Sequence, residues 1–383
     1  MRGLLAVVAP LAALTLIGLI VLWPRDGVPD RSPRLGLPAQ LVNATVTGVE
    51  TRPCGGGPAT ASQCQTAAVR VTSGPDEGQT VDLELTVGPG NPSLEDGDKI
   101  IVGRVVDETL GTFYSFADYQ RRAPLLLLAA LFAGVVIAIG RLRGLAALAG
   151  LVVTFGVLVR FVLPAILEGK SPMLVAIVGS AAVTFVIMYL AHGFNAQTTT
   201  ALLGTIAALG LIGILAGVFV SAANIFNLGS EEATFLQVSA SQVDLRGLLL
   251  GGVIIGSLGV LNDVTVTQAS AVWQLHAANP AAGIADLYRR AMRVGRDHIA
   301  STVDTLVLAY AGASLPLLLL FTLASRPVGD VLTGELVAEE IVRTLVGSIG
   351  LVASVPITTG LTAFVAKRSG YRPKGDRQPP PAH

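Results

Sequence analysis

The residues of this chain that could do chemistry inside a membrane sit in two apolar segments. In the first, Asn262 and Asp263 are followed by Val264-Thr265-Val266-Thr267-Gln268; the second carries Asp304-Thr305. An ionisable side chain within a span costs a few kcal/mol and by default marks a function or an internal pair. At a rise of 1.5 Å per residue, Asp304 lies about 8 Å inside the end of its segment near Ile299, and Asp263 about 10 to 12 Å inside the facing end of its own. The two carboxylates are therefore expected to share a depth. Brought together at low dielectric they would not both ionise, which is the arrangement of a proton or cation site. The alternative is structural: a hydrogen bond from Asn262 or Thr305 to Asp304 acting as helix glue, or a carboxylate snorkelling to the interface. Gly251, Gly252, Gly256 and Gly259 precede the pair, and the Asn-Asp step and β-branched run lower helix propensity, which predicts a local break.

Other chemistry is poorly supported. The histidines, His192, His276, His298 and His383, show no metal-ligand spacing, and no CxxC occurs, so neither a metal nor a cofactor is expected. Asp263 stands in LNDV rather than in the GxGD context of an intramembrane aspartyl protease, and Gly312-Ala313-Ser314 lacks a GxSG serine context. Without a nucleophile and base pair, no catalytic residue and no enzyme is expected.

The elements that must position these residues are membrane helices. Mean hydropathy is +0.66, with 52% hydrophobic and 14% charged residues, which is membrane composition. The 26 basic and 26 acidic residues cancel, which points away from nucleic acid. A span needs roughly 20 apolar residues, and eight segments qualify: 4–23, 124–140, 144–163, 173–191, 200–221, 247–271, 299–323 and 343–366. The first is read as an uncleaved signal anchor, because it ends in Trp23-Pro24 without a small-x-small cleavage site.

Charge sets the expected orientation. With the N-terminus inside, the inner segments hold Arg2; Arg141 and Arg143; Arg289, Arg290, Arg293 and Arg296; and Lys367, Arg368, Arg372, Lys374 and Arg377. The outer connections hold Glu168, Glu231, Glu232, Asp244, Asp330, Glu335, Glu339 and Glu340, with Lys170, Arg246 and Arg326 against the trend. Both termini are thus expected on the cytoplasmic side of a plasma membrane, with the tail from 368 disordered. Residues 282–298 predict an amphipathic helix, with Ile284, Leu287, Ala291 and Val294 on one side and Arg289, Arg290, Arg293 and Arg296 on the other, suited to the anionic inner leaflet. Positive-inside bias alone also accounts for those arginines.

Residues 24–123 then fall outside. After a Pro/Arg-rich linker (24–38), runs over 41–49, 67–72, 80–87 and 99–106 alternate β-formers between turn residues, predicting a small β-barrel or sandwich over 39–122, oligonucleotide-fold type included. Its aromatic end, Tyr114, Phe116 and Tyr119, suits a membrane interface. Cys54 and Cys64 lie here, separated by a Gly/Pro/Ala/Ser-rich stretch, and are read as a disulfide in an oxidising compartment. Residues 230–246 are expected to be a partly helical outer loop.

Three strings, YSFADYQRR (114–122), LRGLLLGGVIIGSLGVLNDVTVTQASAVW (245–273) and GRDHIASTVDTLVLAYAGASLPLLLLF (295–321), resemble the bacterial YibE/F-like membrane proteins. The resemblance implies a multi-span protein, with seven spans over 123–367 after the first, whose usual assignment is transport. It also implies an Asp where this chain has Asn262 and an Asn where it has Asp304, an exchange that predicts contact between these two positions. The expectation is a permease or exporter of a small solute, coupled to a proton or cation at Asp263 and Asp304. The alternative is a scaffold or sensor whose outer domain binds an envelope partner. The lipid bilayer is the one partner common to both.

Overall fold

A computed structural model describes residues 2–25, 40–53, 63–88, 91–107, 111–323 and 327–369. The chain divides into two compact units, Pro29–Ala138 and Met1–Val28 with Ile139–His383.

In the first unit five strands follow one another: β1 (Gln40–Pro53), β2 (Gln63–Val71), β3 (Thr80–Val87), β4 (Lys99–Asp107) and β5 (Gly111–Tyr119). They form one antiparallel sheet in the order β3-β2-β1-β4-β5. Contact between β3 and β5 nearly closes it into a barrel. The inward set follows the two-residue period of a strand: Val42, Ala44 and Val46; Ala67, Val69 and Val71; Ile100 and Val102. Gln65 is buried with them, and its amide pins the β3–β4 connection by donating to Leu94 O and accepting from Leu94 N, each at 2.8 Å. Asp76 accepts from Arg104 Nε at 2.5 Å and from the Tyr114 hydroxyl, tying the β2–β3 turn to β4 and β5. Cys64 is disulfide-bonded; Cys54, the chain's only other cysteine, lies outside the described residues, as does nearly all of the expected linker and tail.

The helices are α1 (Arg2–Val21), α2 (Arg122–Val157), a π-turn (Leu158–Val162) running into α3 (Leu163–Leu167), α4 (Pro172–His192), α5 (Ala196–Ala222), α6 (Glu231–Ser239), α7 (Leu245–Ala278), α8 (Ile284–Ala313), α9 (Leu315–Leu323), α10 (Val328–Thr333) and α11 (Glu335–Arg368). Six helical stretches among the described residues are long and apolar enough to cross a membrane, or seven if the pair α8 and α9, bent by 60°, is one span. Eight were expected, and the difference lies in 122–167. That stretch counts as one 46-residue helix, yet at 1.5 Å per residue it would be about 69 Å long against a hydrocarbon core of about 30 Å. Arg141, at φ 52 and ψ −131, breaks it. The bend between α8 and α9 falls at Ser314-Leu315, directly before Pro316, as expected of a proline that cannot donate to the preceding turn.

In the second unit α5, α7 and α11 form the centre, with α4 and α8 packed on them. Lipid-soluble helices gain little from hiding apolar surface, so close approach through small residues must hold them. Two glycines show this. A Cβ on Gly204 of α5 would stand 2.1 Å from Thr358 Oγ1, and one on Gly350 of α11 would stand 2.1 Å from Ile212 Cγ1. Lys170 donates to Leu22 O at 3.3 Å and Trp23 O at 2.6 Å beyond the end of α1 and pairs with Glu168 at 2.8 Å. It satisfies carbonyls that no further turn reaches. The connection over 230–246 is helical in part, as expected, and α6 is capped by Ser230, whose Oγ accepts from Ala233 N.

Candidate intramembrane polar site

α7 is a single unbroken helix of 34 residues, so the break expected at Asn262-Asp263 does not form. The β-branched residues meant to weaken it instead back-bond to it: Thr265 Oγ1 donates to Leu261 O at 2.8 Å and Thr267 Oγ1 to Asp263 O at 2.7 Å. In hydrocarbon a broken turn would leave backbone groups without partners, and that penalty outweighs propensity.

The periodicity of α7 then sorts its polar residues. Ile254, Leu258, Leu261, Thr265, Gln268 and Val272 recur at steps of three and four and are buried. Asp263 lies two residues from both Leu261 and Thr265, about 200° around the helix, and is exposed on the outside of the bundle. Asp304 and Thr305 of α8 are exposed as well. α8 packs through Leu287, Ala291 and Gly295, a face whose continuation passes through Thr302 rather than Asp304. Among the described residues neither carboxylate makes a hydrogen bond or ion pair. Asn262 Oδ1 is buried without a hydrogen-bond partner. The expected bond between Asn262 and Asp304 is therefore not made, because Asp304 looks outward.

What the fold does bring together is a set of hydroxyls and one amide between α5, α7, α8 and α11. Thr265 Oγ1 and Thr205 Oγ1 share a hydrogen bond of 2.7 Å. Gln268 Nε2 donates to Thr359 Oγ1 at 2.7 Å and to Ala291 O at 3.0 Å. Gly295 lets α8 approach this amide: a Cβ there would meet Val355 Cγ1 at 2.6 Å and Gln268 at 3.1 Å. Along α11, Ser354, Thr358 and Thr362 line one side at steps of four, each with no exposed surface. Ser354 bonds back to Leu351 O, but the hydroxyls of Thr358 and Thr362 have no partner. Towards the other end of α11, Glu339 is 6% exposed, and its Oε1 is unpartnered.

Thr265 and Gln268 were thus legible in sequence, whereas Thr205, Ser354, Thr358, Thr359 and Thr362 were missed. A heptad-like count along α11 would have found the second group. Glu339 was assigned to an outer loop because Glu335, Glu339 and Glu340 read as a solvated acidic cluster; α11 begins eight residues before the expected span and draws it into the helix.

The amphipathic segment 284–298 is the first half of α8, continuous with its apolar half. Its buried face is Leu287, Ala291 and Gly295, packed with Val272, Ala282 and Ala363, while Ile284 and Val294 are 40% and 45% exposed. This segment is part of the bundle as well as a basic surface. No group of three metal-ligating side chains is close enough to hold an ion among the described residues.

Chemically, the seam offers hydroxyl oxygens and one carboxamide, groups that donate and accept hydrogen bonds. No curated protein and no solved structure matches the chain. The sequence model of the YibE/F-like proteins matches residues 128–368, more than half of the chain and all of α4 to α11, and the chain belongs to that YibE/F-like family of membrane proteins.

Proposed function

We propose that this protein is a permease or exporter of a small polar solute or ion in the plasma membrane, not an enzyme, with both termini cytoplasmic and a proton or cation handled at Asp263 and Asp304. One observation carries the reading: the buried seam on α11, where Thr358 and Thr362 hold hydroxyls without partners. Helix glue uses up its hydrogen-bonding groups. Unused hydroxyls aligned at steps of four are oxygen ligands that a passing solute would meet. Because a Cβ on Gly204 would meet Thr358 Oγ1 at 2.1 Å, a solute passing Thr358 requires α5 and α11 to separate. Asp263 and Asp304 lie on exposed faces of α7 and α8, apart from the seam, and what supports coupling is their type and place, since an ionisable side chain within a span is costly and by default marks a function.

The test is access. Thr358→Cys and Thr362→Cys are introduced singly, and the protein in liposomes is treated with a water-soluble thiol reagent from each side. Cys64 is disulfide-bonded and adds no background. The seam of a transporter reacts, at different rates from the two sides; a seam unreactive from both sides under all ion gradients overturns the proposal.

A second reading, partner binding by the outer domain, is favoured by exposed apolar side chains on its barrel. Leu41, Val105 and Phe113 are 64%, 42% and 48% exposed, and Val105 pairs directly with Phe113 between β4 and β5. If this face holds an envelope protein, Phe113→Ser lowers in-cell crosslinking from β5 without altering flux; unchanged crosslinking removes the reading.

A further inference from the structure

The first half of α8 carries a cavity of about 470 Å³ lined by Asp286, Tyr288, Arg289, Met292, Arg293 and Arg296. Two of its three cations, Arg293 and Arg296, are not neutralised by the protein. Asp286, the acid in the lining, is engaged by Arg290 at 2.8 Å and more distantly by Arg289 at 3.8 Å. Asp297, next to Arg296 in the chain, makes no ion pair, and Arg293 and Arg296 have no acidic partner among the described residues. Lys367, at the same end of the bundle, is committed to the carbonyls of Pro280 and Ala281. Two guanidinium groups are thus left to face a cavity, each presenting the fork that matches phosphate oxygens.

The same face continues into the membrane. Arg289, Arg293, Arg296, Ala300, Val303 and Val307 follow one another at steps of four and three, so they lie in one stripe along α8. Ala300 and Val307 are exposed and Val303 is half-buried. From Arg296 to Val307 the stripe runs about 16 Å, close to the length of a lipid acyl chain within one leaflet. A cationic cavity opening onto an apolar stripe of that length fits a ligand with an anionic head and a hydrocarbon tail. A soluble phosphate would use only the cavity.

We infer that the arginine cavity of α8 is a specific site for the phosphate headgroup of an anionic phospholipid, its acyl chain lying along Ala300, Val303 and Val307. This goes beyond a diffuse basic surface, because it assigns the binding to Arg293 and Arg296 and not to Arg290, which is held by Asp286 and does not line the cavity. It stands independently of the transport proposal.

The experiment is native mass spectrometry of the full chain released from bilayers of phosphatidylcholine with one-fifth phosphatidylglycerol. Wild type is expected to retain phosphatidylglycerol at a defined stoichiometry. The double variant Arg293→Gln/Arg296→Gln is expected to retain it roughly 30-fold more weakly, from the loss of two interfacial cations. Arg290→Gln should match wild type. Both substituted arginines are exposed, and the single variant Arg296→Gln, expected to lose roughly fivefold, serves if the double variant is not monodisperse. Equal retention by wild type and the Arg293 and Arg296 variants overturns the inference. So does displacement of the lipid by millimolar inorganic phosphate or glycerol phosphate, which would make the site one for soluble phosphate.

Discussion

Gln268 is the residue on which the packing of three helices turns, and its contribution can be measured. It is 3% exposed on α7 and donates to Thr359 Oγ1 of α11 and to Ala291 O of α8. Gln268→Leu keeps most of the volume and removes both bonds. Thr359→Val keeps the β-branched shape and removes only the acceptor. The partners left behind suffer little: Thr359 Oγ1 still donates to Val355 O at 2.6 Å. The penalty is then close to the bonds themselves, and interhelical bonds in membranes average about 0.6 kcal/mol with a maximum near 1.7. The 2.7 Å bond with neither partner exposed to water belongs in the upper half of that range. Unfolding wild type, both single variants and the double variant in mixed micelles should give a coupling of about 1 to 1.7 kcal/mol between the two positions. The Gln268→Leu variant should lose more than Thr359→Val, by the bond to Ala291. A coupling within about 0.3 kcal/mol of zero would refute the reasoning, since additivity of that quality marks residues that do not interact.

Other expectations follow from the same geometry. Gly350→Ala places a methyl group 2.1 Å from Ile212 Cγ1, which is fully buried, and should cost about 1 to 3 kcal/mol through overpacking, read in the same unfolding assay; Gly252→Ala, with nothing within 4 Å, should be near neutral. In the β-barrel domain, the Arg104 guanidinium first and the Tyr114 hydroxyl second hold the Asp76 carboxyl below the ordinary aspartate value. The folded state therefore gains from ionised Asp76 at pH values above about 4, and loses that gain as pH falls through the lowered value. Hydrogen exchange of residues 74–78 in the full chain should show protection that declines below about pH 4 in wild type and is already lowered, with a flatter acid profile, in Asp76→Asn. Lys170→Met should lower the melting temperature by freeing the carbonyls of Leu22 and Trp23 and removing the ion pair to Glu168, and an unchanged melt would show that these contacts add nothing.

Much of the architecture was legible because hydropathy and strand alternation report burial directly. Four of the five barrel strands appeared within a few residues of their places, since Val42, Ala44, Val46 and their partners alternate cleanly, whereas β5 was read only as an aromatic end. The connection expected between 124–140 and 144–163 falls at Arg141, where the helical path is broken. The candidate site was harder. Charge drew attention to Asp263 and Asp304, yet the side of a helix that faces its neighbours follows from its period. Leu258, Leu261, Thr265, Gln268 and Val272 already carried that information, and put Asp263 on the back. Thr358 and Thr362 were invisible for a different reason. Threonine in an apolar span usually bonds to its own backbone, so its type alone does not separate glue from a free hydroxyl.

The central claim is that the seam on α11 carries a small polar species. The most direct test is flux through liposomes containing the purified protein, with an imposed ion or pH gradient and an internal dye. The account predicts gradient-driven flux above that of empty liposomes, reduced at least tenfold by Thr358→Val/Thr362→Val and by Asp263→Asn. Flux equal to that of empty liposomes under every gradient, or equal in wild type and the seam variant, would contradict it.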